Sequence, residues 1–401
     1  MNIKKWLKIE IVLLIAVVLR VLWAFLVRVE PVSDSNMYDA FAMSISSGHG
    51  YAYPDGRLTA YWPVGTSAVY GFLYLLFGVS YVPIVIFNII IGVLIVWFTY
   101  AIALRNFGQR VAVISALVIS FWPLLIQFTT ILASELLFIF LLLFALYIWD
   151  HEKIPALPRY ISWGALICAA SFVRPVVYPL LVIFPVLNWI KTRDFRVSLI
   201  SLIVGVLTAS ILFAPWVYRN YKLFKGFVLV ATNDGTNLWM GNNPDSDGGW
   251  MHLPEDFFLN ELERNDYLKK EAVSYILENP IDYVKLSIKR FYITYKSETI
   301  GIVWNQSHLD KVVDSILILG MKFISTIYWW MILLLGILGT VLFISKQKSG
   351  IFSPLIITMA YFFIIPMLTV GQDRYHMPVI PFIAIFSAYV IDYFRIKSFL
   401  E

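Results

Sequence analysis

The sequence places a few acidic and basic side chains next to long apolar stretches, where ionised groups are costly. Asp34 and Asp39 lie in the stretch PVSDSNMYDA, directly after the first apolar run. Glu135 opens another apolar run, and Arg174 separates two apolar stretches in SFVRPVVYP. A carboxylate at the edge of a membrane is suited to taking a proton, and a guanidinium is suited to holding a phosphate. These residue types indicate acid–base chemistry on a phosphate-bearing substrate.

Each of these residues also has a structural interpretation. Asp34 or Ser33 would cap a surface helix over SDSNMYDAFAMSISSG, and Asp39, beyond the first turn, would only solvate that helix. Glu135 would stabilise the N-terminus of its helix through the macrodipole. Arg174 is harder to explain in this way, because a guanidinium between apolar spans is usually paired or functional. For Asp34 and Glu135 both interpretations stay open.

Further polar residues follow the seventh apolar run and precede the last one. Arg219 lies in PWVYRNY, and GQDRYHMPVIPF contains Arg374, Tyr375 and His376. Arg374 offers a planar fork of donors suited to phosphate, and His376 is a candidate acid or base near neutral pH. Anchoring at a membrane interface would explain Arg374, Tyr375 and His376 equally well.

The elements that must position these residues are transmembrane helices. Of the 401 residues, 60% are hydrophobic and 14% are charged, and the mean hydropathy is +0.76. A soluble domain has only ~45–50% apolar residues. The sequence therefore predicts an all-α polytopic membrane protein with about ten transmembrane helices and with juxtamembrane helices on its outer face. The predicted spans are residues 8–28, 83–104, 111–130, 134–150, 160–174, 176–191, 197–217, 319–345, 352–369 and 376–394.

Lysine and arginine between the predicted spans set the orientation. The expected cytoplasmic segments each carry at least two basic residues and place both termini inside, as in a multi-pass protein of a bacterial plasma membrane. The apolar run 65–78 is too short to span, so we expect an interfacial or re-entrant helix on the outer face. The candidate residues then share the extracytoplasmic side. The expected cytoplasmic segments are residues 1–8, 105–110, 150–159, 191–196, 346–348 and 395–397.

The predicted spans divide the chain into three parts. Residues 1–217 form an N-terminal transmembrane module with a first outer loop at 29–82, residues 218–318 form an extracytoplasmic subdomain, and residues 319–401 form C-terminal transmembrane helices. The net charge of +5 is explained by the cytoplasmic segments, so no nucleic-acid partner is expected. No cofactor is predicted, because metal-ligand spacings and nucleotide-binding glycine patterns are absent. A divalent-cation requirement stays open.

Seven segments, taken in order, resemble one family over nearly the whole chain. The chain is similar to the bacterial GT-C superfamily of membrane glycosyltransferases, in the group of dolichyl-phosphate-mannose protein mannosyltransferases and lipid A aminoarabinose transferases. The segments are SDSNMYDAFAMSISSGHGY, YWPVGTSAVYGFLYLLFG, ASELLF, FVRP, PWVYRNY, GTNLWMGNNP and DRYHMPVIPF.

This resemblance implies an inverting transferase that moves a sugar from a polyprenyl-phosphate donor to an acceptor hydroxyl of the cell envelope. It implies that Asp34 is the general base, with Tyr38 nearby, and that Glu135 is a second catalytic acid. Many protein mannosyltransferases have an Asp-Glu pair in this loop, whereas here Ser35 follows Asp34. The expected phosphate-binding residues are Arg174, Arg374 and Arg219.

The expected substrate contacts are less specific. Asn242 and Asn243 in GTNLWMGNNP would donate to sugar hydroxyls, although Gly and Asn are equally what a turn requires. Two functions other than transfer of a single sugar remain: a polysaccharide polymerase or ligase, and a transporter or flippase of lipid-linked glycans. A non-catalytic membrane partner is a third. The full set of expected substrate contacts is Tyr38, Asp39, Trp62, Asn242, Asn243, Tyr375 and His376.

Overall fold

The computed structural model describes residues 8–253 and 260–400. Regular structure in this part of the chain is helical, apart from one isolated bridge between Ala52 and Leu58. The first nine helices are α1 Ile9–Leu26, α2 Asp34–Ser46, α3 Gly65–Phe77, α4 Tyr81–Phe107, α5 Gln109–Ser120, α6 Pro123–Gln127, α7 Glu135–Trp149, α8 Ala156–Val173 and α9 Leu180–Thr192.

The second half of the chain continues the same pattern, and short 3-10 turns at 128–130, 175–177, 348–352 and 377–379 join some of the helices. The remaining helices are α10 Phe195–Phe224, α11 Asp234–Gly241, α12 Glu261–Glu278, α13 Pro280–Tyr295, α14 Ile300–Trp304, α15 Gln306–Val312, α16 Ser315–Lys346, α17 Pro354–Leu368 and α18 Ile380–Leu400.

Each of the ten predicted spans contains an apolar helix, which confirms the all-α polytopic fold class. Among the described residues, seven helical stretches are long and apolar enough to cross a membrane. The helices α7 and α17 are 15 residues long, slightly short of the ~17 residues that a span needs. The seven stretches are α1, α4, α8, Pro175–Thr192, α10, α16 and Met377–Arg395.

The span predicted at 111–130 is broken. Helix α5 and the stretch Pro123–Thr130 meet at an angle of 54°, and only together are they long and apolar enough to count as an eighth span. Pro123 explains the break, because it has no backbone N–H and its ring clashes with the preceding helical turn.

The apolar run at 65–78 forms α3, which has only 13 residues and is too short to span, as expected. It packs against α2 and against the end of α8. A β-carbon at Gly65 would lie 2.7 Å from the Phe172 carbonyl oxygen, and one at Gly71 would lie 3.0 Å from the Ala42 carbonyl oxygen. The two glycines therefore allow α3 to approach both neighbours closely.

The boundaries predicted at residues 217 and 319 need correction, because both fall inside helices. Helix α10 runs on to Phe224, and α16 already begins at Ser315. A helix satisfies its own backbone hydrogen bonds, so it does not need to end where the apolar residues end. The segment between these two helices contains α11 to α15.

The helices have two distinct ends, which we name by one residue each. Asp34, Glu135 and Arg174 lie at the start of α2, the start of α7 and the end of α8, and this is the Asp34 end. Arg105, near the end of α4, and Arg159, near the start of α8, lie at the Arg105 end.

Helix α18 lies at the centre of the bundle and packs most extensively against α16. Gly336 and Gly339 of α16 make this contact, and a β-carbon at Gly339 would lie 1.9 Å from the Phe386 carbonyl oxygen. In contrast, a β-carbon at Gly320 of the same helix would meet nothing within 4 Å.

We therefore expect Gly339→Ala to lower the free energy of unfolding by about 1–3 kcal/mol, because the two backbones must move apart. Gly320→Ala is the matched control and should have little effect or a small stabilising one. Thermal unfolding of the purified protein in detergent, followed by tryptophan fluorescence, measures both. Equal melting temperatures for the two variants would contradict the close packing.

Candidate active site

Four ionisable side chains from four separate elements meet at the Asp34 end. Asp34 is the first residue of α2, and Glu135 is the first residue of α7. Arg174 directly follows α8, and Arg374 lies in the loop between α17 and α18. The topology therefore brings together two carboxylates and two guanidinium groups that are far apart in the sequence.

The four groups alternate in charge. Arg374 Nη2 lies 2.5 Å from Asp34 Oδ2, and Arg374 Nη1 lies 3.4 Å from Glu135 Oε1. Arg174 donates to the same Glu135 oxygen through Nη2 and to Ser134 Oγ through Nε at 3.0 Å. The order Asp34, Arg374, Glu135, Arg174 leaves no two like charges adjacent, and we call these four residues the charge relay cluster.

Arg374 is the most constrained member of the charge relay cluster. Its Nε donates to Gln372 Oε1 at 2.8 Å, and its guanidinium lies 4.6 Å from the centre of the Trp304 ring. Burial lowers the pKa of Arg374, but the Asp34 and Glu135 carboxylates outweigh this effect and raise the pKa above its ordinary value. Arg374 is therefore a permanent cation of fixed orientation.

Exposure separates the charge relay cluster into an open half and a closed half. The Asp34 and Arg174 side chains are 27% and 17% exposed, whereas those of Arg374 and Glu135 are 7% and 1% exposed. A substrate therefore reaches Asp34 and Arg174 first, and Glu135 lies behind them.

Asp34, Arg174 and Arg374 line a cavity of about 450 Å³. The lining has both polar and apolar side chains, so it can contact both a charged group and a hydrocarbon group of one ligand. The polar and aromatic ones include Asp34, Tyr38, Tyr61, Trp62, Arg174, Asn233, Asn237, Arg374 and Tyr375, and the more apolar ones include Phe138, Val173, Tyr361, Phe362, Ile365 and Pro366.

Tyr38 is a hydrogen-bond donor at neutral pH. Burial, together with the nearby Asp34 and Glu135 carboxylates, raises the pKa of Tyr38 to about 12. The phenol lies on the cavity wall one helical turn after Asp34, so the two side chains face the same space.

Within residues 8–253 and 260–400, no three His, Cys, Asp or Glu residues lie close enough together to hold a metal ion. The carboxylates of the charge relay cluster are instead paired with arginines. The basic side chains in the lining of this cavity are Arg174 and Arg374.

Comparison with known proteins gives one family match and several similar structures. The family described as dolichyl-phosphate-mannose-protein mannosyltransferase matches residues 62–218. No curated protein matches the chain.

The similar structures include two archaeal ones and a bacterial one. An oligosaccharyltransferase of Archaeoglobus fulgidus, in complex with Zn and sulfate, has a TM-score of 0.59 at 18% identity, over 97% of this chain and 49% of its own. The AglB oligosaccharyltransferase of the same organism, in complex with an inhibitory peptide and a dolichol-phosphate, has a TM-score of 0.59 at 14% identity. The match covers 98% of this chain and 51% of that one. ArnT from Cupriavidus metallidurans, bound to undecaprenyl phosphate, has a TM-score of 0.56 at 14% identity, over 96% and 60%.

The chain has the fold of the GT-C membrane glycosyltransferases. This confirms the resemblance expected from the sequence. The chain spans about half the length of the two archaeal structures.

The fold brings six of the twelve predicted site residues to the cavity wall and leaves the other six away from it. Glu135 lies behind the cavity, in contact with both arginines of the charge relay cluster. The predicted residues on the cavity wall are Asp34, Tyr38, Trp62, Arg174, Arg374 and Tyr375. Those that do not line it are Asp39, Arg219, Asn242, Asn243 and His376.

The Asp39 side chain is bonded within the fold. Its two carboxylate oxygens accept hydrogen bonds from Tyr74 Oη at 2.5 Å and Tyr81 Oη at 2.9 Å. This ties α2 to α3 and to the start of α4. Asp39 faces away from Asp34 on the same helix, so its position does not support the expected substrate contact.

The side chains of Asn242 and Asn243 also bond to other parts of the protein. The Asn242 side chain donates to the Leu238 carbonyl at 2.8 Å and accepts from Arg290 Nη1 at 2.9 Å, and Asn243 donates to the Trp239 carbonyl at 2.8 Å. The turn interpretation of this segment is therefore the better one. Asn233 and Asn237, a few residues earlier, reach the cavity instead.

His376 belongs to a buried pair that sequence reasoning missed. Its Nδ1 donates to the Thr294 carbonyl at 3.0 Å, and its Nε2 lies 3.1 Å from Glu298 Oε1. Trp122 Nε1 also donates to Glu298, and burial raises the pKa of Glu298 despite these two partners. This pair fixes the chain two residues from Arg374. Glu298 lies in SETI, which has the composition of an exposed loop.

Arg219 fastens the first outer loop rather than lining the cavity. Its two terminal nitrogens donate to the Thr59 carbonyl at 2.7 Å and the Tyr51 carbonyl at 3.0 Å. From the other side, Glu261 accepts hydrogen bonds from the Ala60 backbone N–H at 2.5 Å and from the Thr59 hydroxyl at 2.8 Å. The segment that carries Tyr61 and Trp62 is thus held between α10 and α12.

We expect Glu261→Gln to loosen this segment, because the amide keeps only one good acceptor oxygen and loses the charge that strengthens both bonds. Exchange of the Ala60 amide should accelerate about tenfold, the effect of losing a charged hydrogen bond. Hydrogen–deuterium exchange with peptide-level mass spectrometry measures it. Glu263→Gln, in the same helical turn, is the control, and equal exchange in the two variants would contradict the fastening role.

Proposed function

We propose that this chain transfers a sugar from a polyprenyl-phosphate donor to an acceptor hydroxyl of a cell-envelope glycan, lipid or protein. The observation that carries the proposal is the charge relay cluster, three of whose members line a cavity that also has apolar side chains in its lining. The undecaprenyl phosphate on ArnT and the dolichol-phosphate on AglB support a lipid phosphate as the ligand of this cavity.

The donor phosphate would bind between Arg174 and Arg374. Arg374 already holds an anion, the Asp34 carboxylate, at 2.5 Å. A phosphate that enters the cavity competes with Asp34 for this guanidinium and releases the carboxylate. Donor binding thereby frees the base at the moment when it is needed.

The reaction needs no reactant other than the donor and the acceptor. The acceptor oxygen forms a bond to the anomeric carbon, the bond from that carbon to the phosphate oxygen breaks, and the acceptor proton passes to Asp34. The departing polyprenyl phosphate gains one negative charge, which Arg174 and Arg374 are positioned to stabilise. Attack from the side opposite to the phosphate inverts the configuration at the anomeric carbon.

Cavity residues outside the charge relay cluster would select the substrate. The Tyr38 phenol and the Asn237 amide are donors for sugar hydroxyls, and Trp62 offers a ring face to a sugar ring. The apolar lining residues, Tyr361 and Ile365 among them, suit the first isoprene units of the donor. These contacts replace the ones expected at Asn242 and Asn243.

The orientation of the chain follows from its basic loops. Lys153, Lys191 and Arg196 lie at the Arg105 end, which we propose faces the cytoplasm, with both termini. The cavity at the Asp34 end then opens on the extracytoplasmic side, where no nucleotide sugar is available. A lipid-linked donor is activated already, so this location suits the proposed substrate.

We expect Asp34→Asn to lower transfer by about 10²–10⁴-fold, because the amide cannot take the acceptor proton. Asp39→Asn, on the same helix but facing Tyr74 and Tyr81, should retain most of the activity. The assay incubates purified protein in lipid with radiolabelled polyprenyl-phosphate sugars and a membrane extract as acceptor. The same assay with EDTA tests our expectation that arginines, rather than a divalent cation, stabilise the leaving phosphate.

Near-normal transfer by Asp34→Asn would remove Asp34 as the base. Label that crosses the bilayer without being transferred would replace the transferase with a transporter. Repeated addition to one growing product would indicate a polymerase.

Binding of polyprenyl phosphate alone tests the competition between phosphate and Asp34. We expect Arg174→Gln and Arg374→Gln to weaken binding about tenfold or more, the usual effect of losing a hydrogen bond to a charged group. Asp34→Asn should instead tighten binding, because it removes the internal competitor for Arg374. Lys285→Gln, which removes an exposed charge of α13 outside the cavity, should leave the dissociation constant unchanged. Weaker binding by Asp34→Asn would contradict the release of the carboxylate by phosphate.

A further inference from the structure

A second cavity, of about 700 Å³, lies at the Arg105 end. It is bordered by the end of α7, the start of α8, the second half of α9 and the start of α17. The opposite ends of three of these helices, α7, α8 and α17, border the candidate active site, as does the turn just before α9. This second cavity is polar and has no part in the reaction described above.

Cations outnumber anions on its walls. Four basic side chains line the cavity, against two carboxylates. The rule that cytoplasmic loops are basic explains that lysines and arginines occur at this end. This rule does not explain why the four basic side chains line the same cavity. The basic residues are Arg105, Lys153, Arg159 and Lys191, and the acidic ones are Asp150 and Glu152.

Arg105 is held in place before any ligand binds. Its guanidinium lies 4.7 Å from the centre of the Tyr147 ring, and Nη1 donates to the Tyr147 carbonyl at 3.1 Å. Its Nη2 lies 2.5 Å from His151 Nδ1. Because arginine can only donate, His151 accepts this bond and is neutral. A cation fixed in this way loses little entropy when it binds an anion.

The potential around His151 is positive. Partial burial and the charges of Arg105, Lys153 and Arg159 hold the pKa of His151 below its ordinary value. Asp150 is close enough to interact with Arg105, Lys191 and Arg159, but four basic side chains face only two carboxylates here. An anion in this cavity would relieve the repulsion among the basic groups.

Arg159 supplies a donor that has no acceptor among the described residues. Its guanidinium lies 5.0 Å from the centre of the Tyr160 ring, and Nη2 donates to the Tyr160 hydroxyl at 3.1 Å. The Nε atom is buried and makes no hydrogen bond there. A buried donor without a partner is costly, and a phosphate oxygen would satisfy it.

The surroundings of the cavity are apolar. Phe352, on the cavity wall, is 38% exposed, and the neighbouring Ile351 and the nearby Leu157 are 45% and 58% exposed. Trp149 and Phe184 form an aromatic inner wall. A ligand that carries both an anionic group and hydrocarbon chains matches this combination better than a free anion does.

We propose that this second cavity binds the phosphate head group of an anionic phospholipid. The head group lies between Arg105, Arg159 and Lys191, and the acyl chains extend past Phe352 into the bilayer. Basic pockets between transmembrane helices are typical sites for anionic head groups.

The experiment measures lipid binding to the purified full chain in nanodiscs of phosphatidylcholine, into which phosphatidylglycerol is titrated. Retention of phosphatidylglycerol is read by native mass spectrometry after release into detergent. Lys153→Gln/Lys191→Gln should weaken binding about tenfold or more, because each basic residue near an anionic lipid contributes substantially. Both lysines are exposed and make no hydrogen bond among the described residues, so the variant should fold.

The control is Arg196→Gln/Lys348→Gln, which removes two exposed charges from the same end but outside the cavity. It should bind phosphatidylglycerol as the wild type does. A third variant, Arg159→Gln, removes the unpaired donor and should also weaken binding. Equal affinity in the cavity variant and the control would overturn the proposal. Inorganic phosphate that displaces the lipid at millimolar concentration would also overturn it, in favour of a free anion.

Discussion

Glu135 is a carboxylate at the buried start of an apolar helix, and its charge is the one that the rest of the site must neutralise. An isolated carboxylate with 1% exposure would cost several kcal/mol, on the order of the penalty for a buried unpaired ion. Two guanidinium groups share its Oε1 atom, and the excess positive charge of Arg374 is neutralised by Asp34. The ion pairs that define the site therefore also offset the cost of holding these charges out of water.

This arrangement requires distant segments to be held in register. Arg374 is fixed because the neighbouring His376 is bonded to Glu298, and the loop before Trp62 is fixed because Arg219 and Glu261 bond its backbone. Glu261 and Glu298 both come from the segment between α10 and α16. That segment thus serves as a brace for the site, in addition to closing one side of the cavity.

The spans could be predicted from the sequence because the physical requirement is local: a helix in hydrocarbon must be apolar over its whole length. Arg174 was recognisable for the same reason, since its cost depends only on its neighbours in the chain. Glu298 was not, because burial of a carboxylate depends on residues far along the chain. The capping interpretation of Asp34 fails for a backbone reason: Ser33 adopts φ +52° and makes no capping hydrogen bond, which turns Asp34 toward Arg374.

The two cavities share α7, α8 and α17 and lie at opposite ends of these helices. A change in tilt that widens one end of this group alters the spacing at the other. Thermodynamic linkage makes any such coupling reciprocal: the free energy that a head group contributes to donor capture equals the free energy that the donor contributes to head-group capture. Binding at one end of these helices and binding at the other would thereby share one equilibrium.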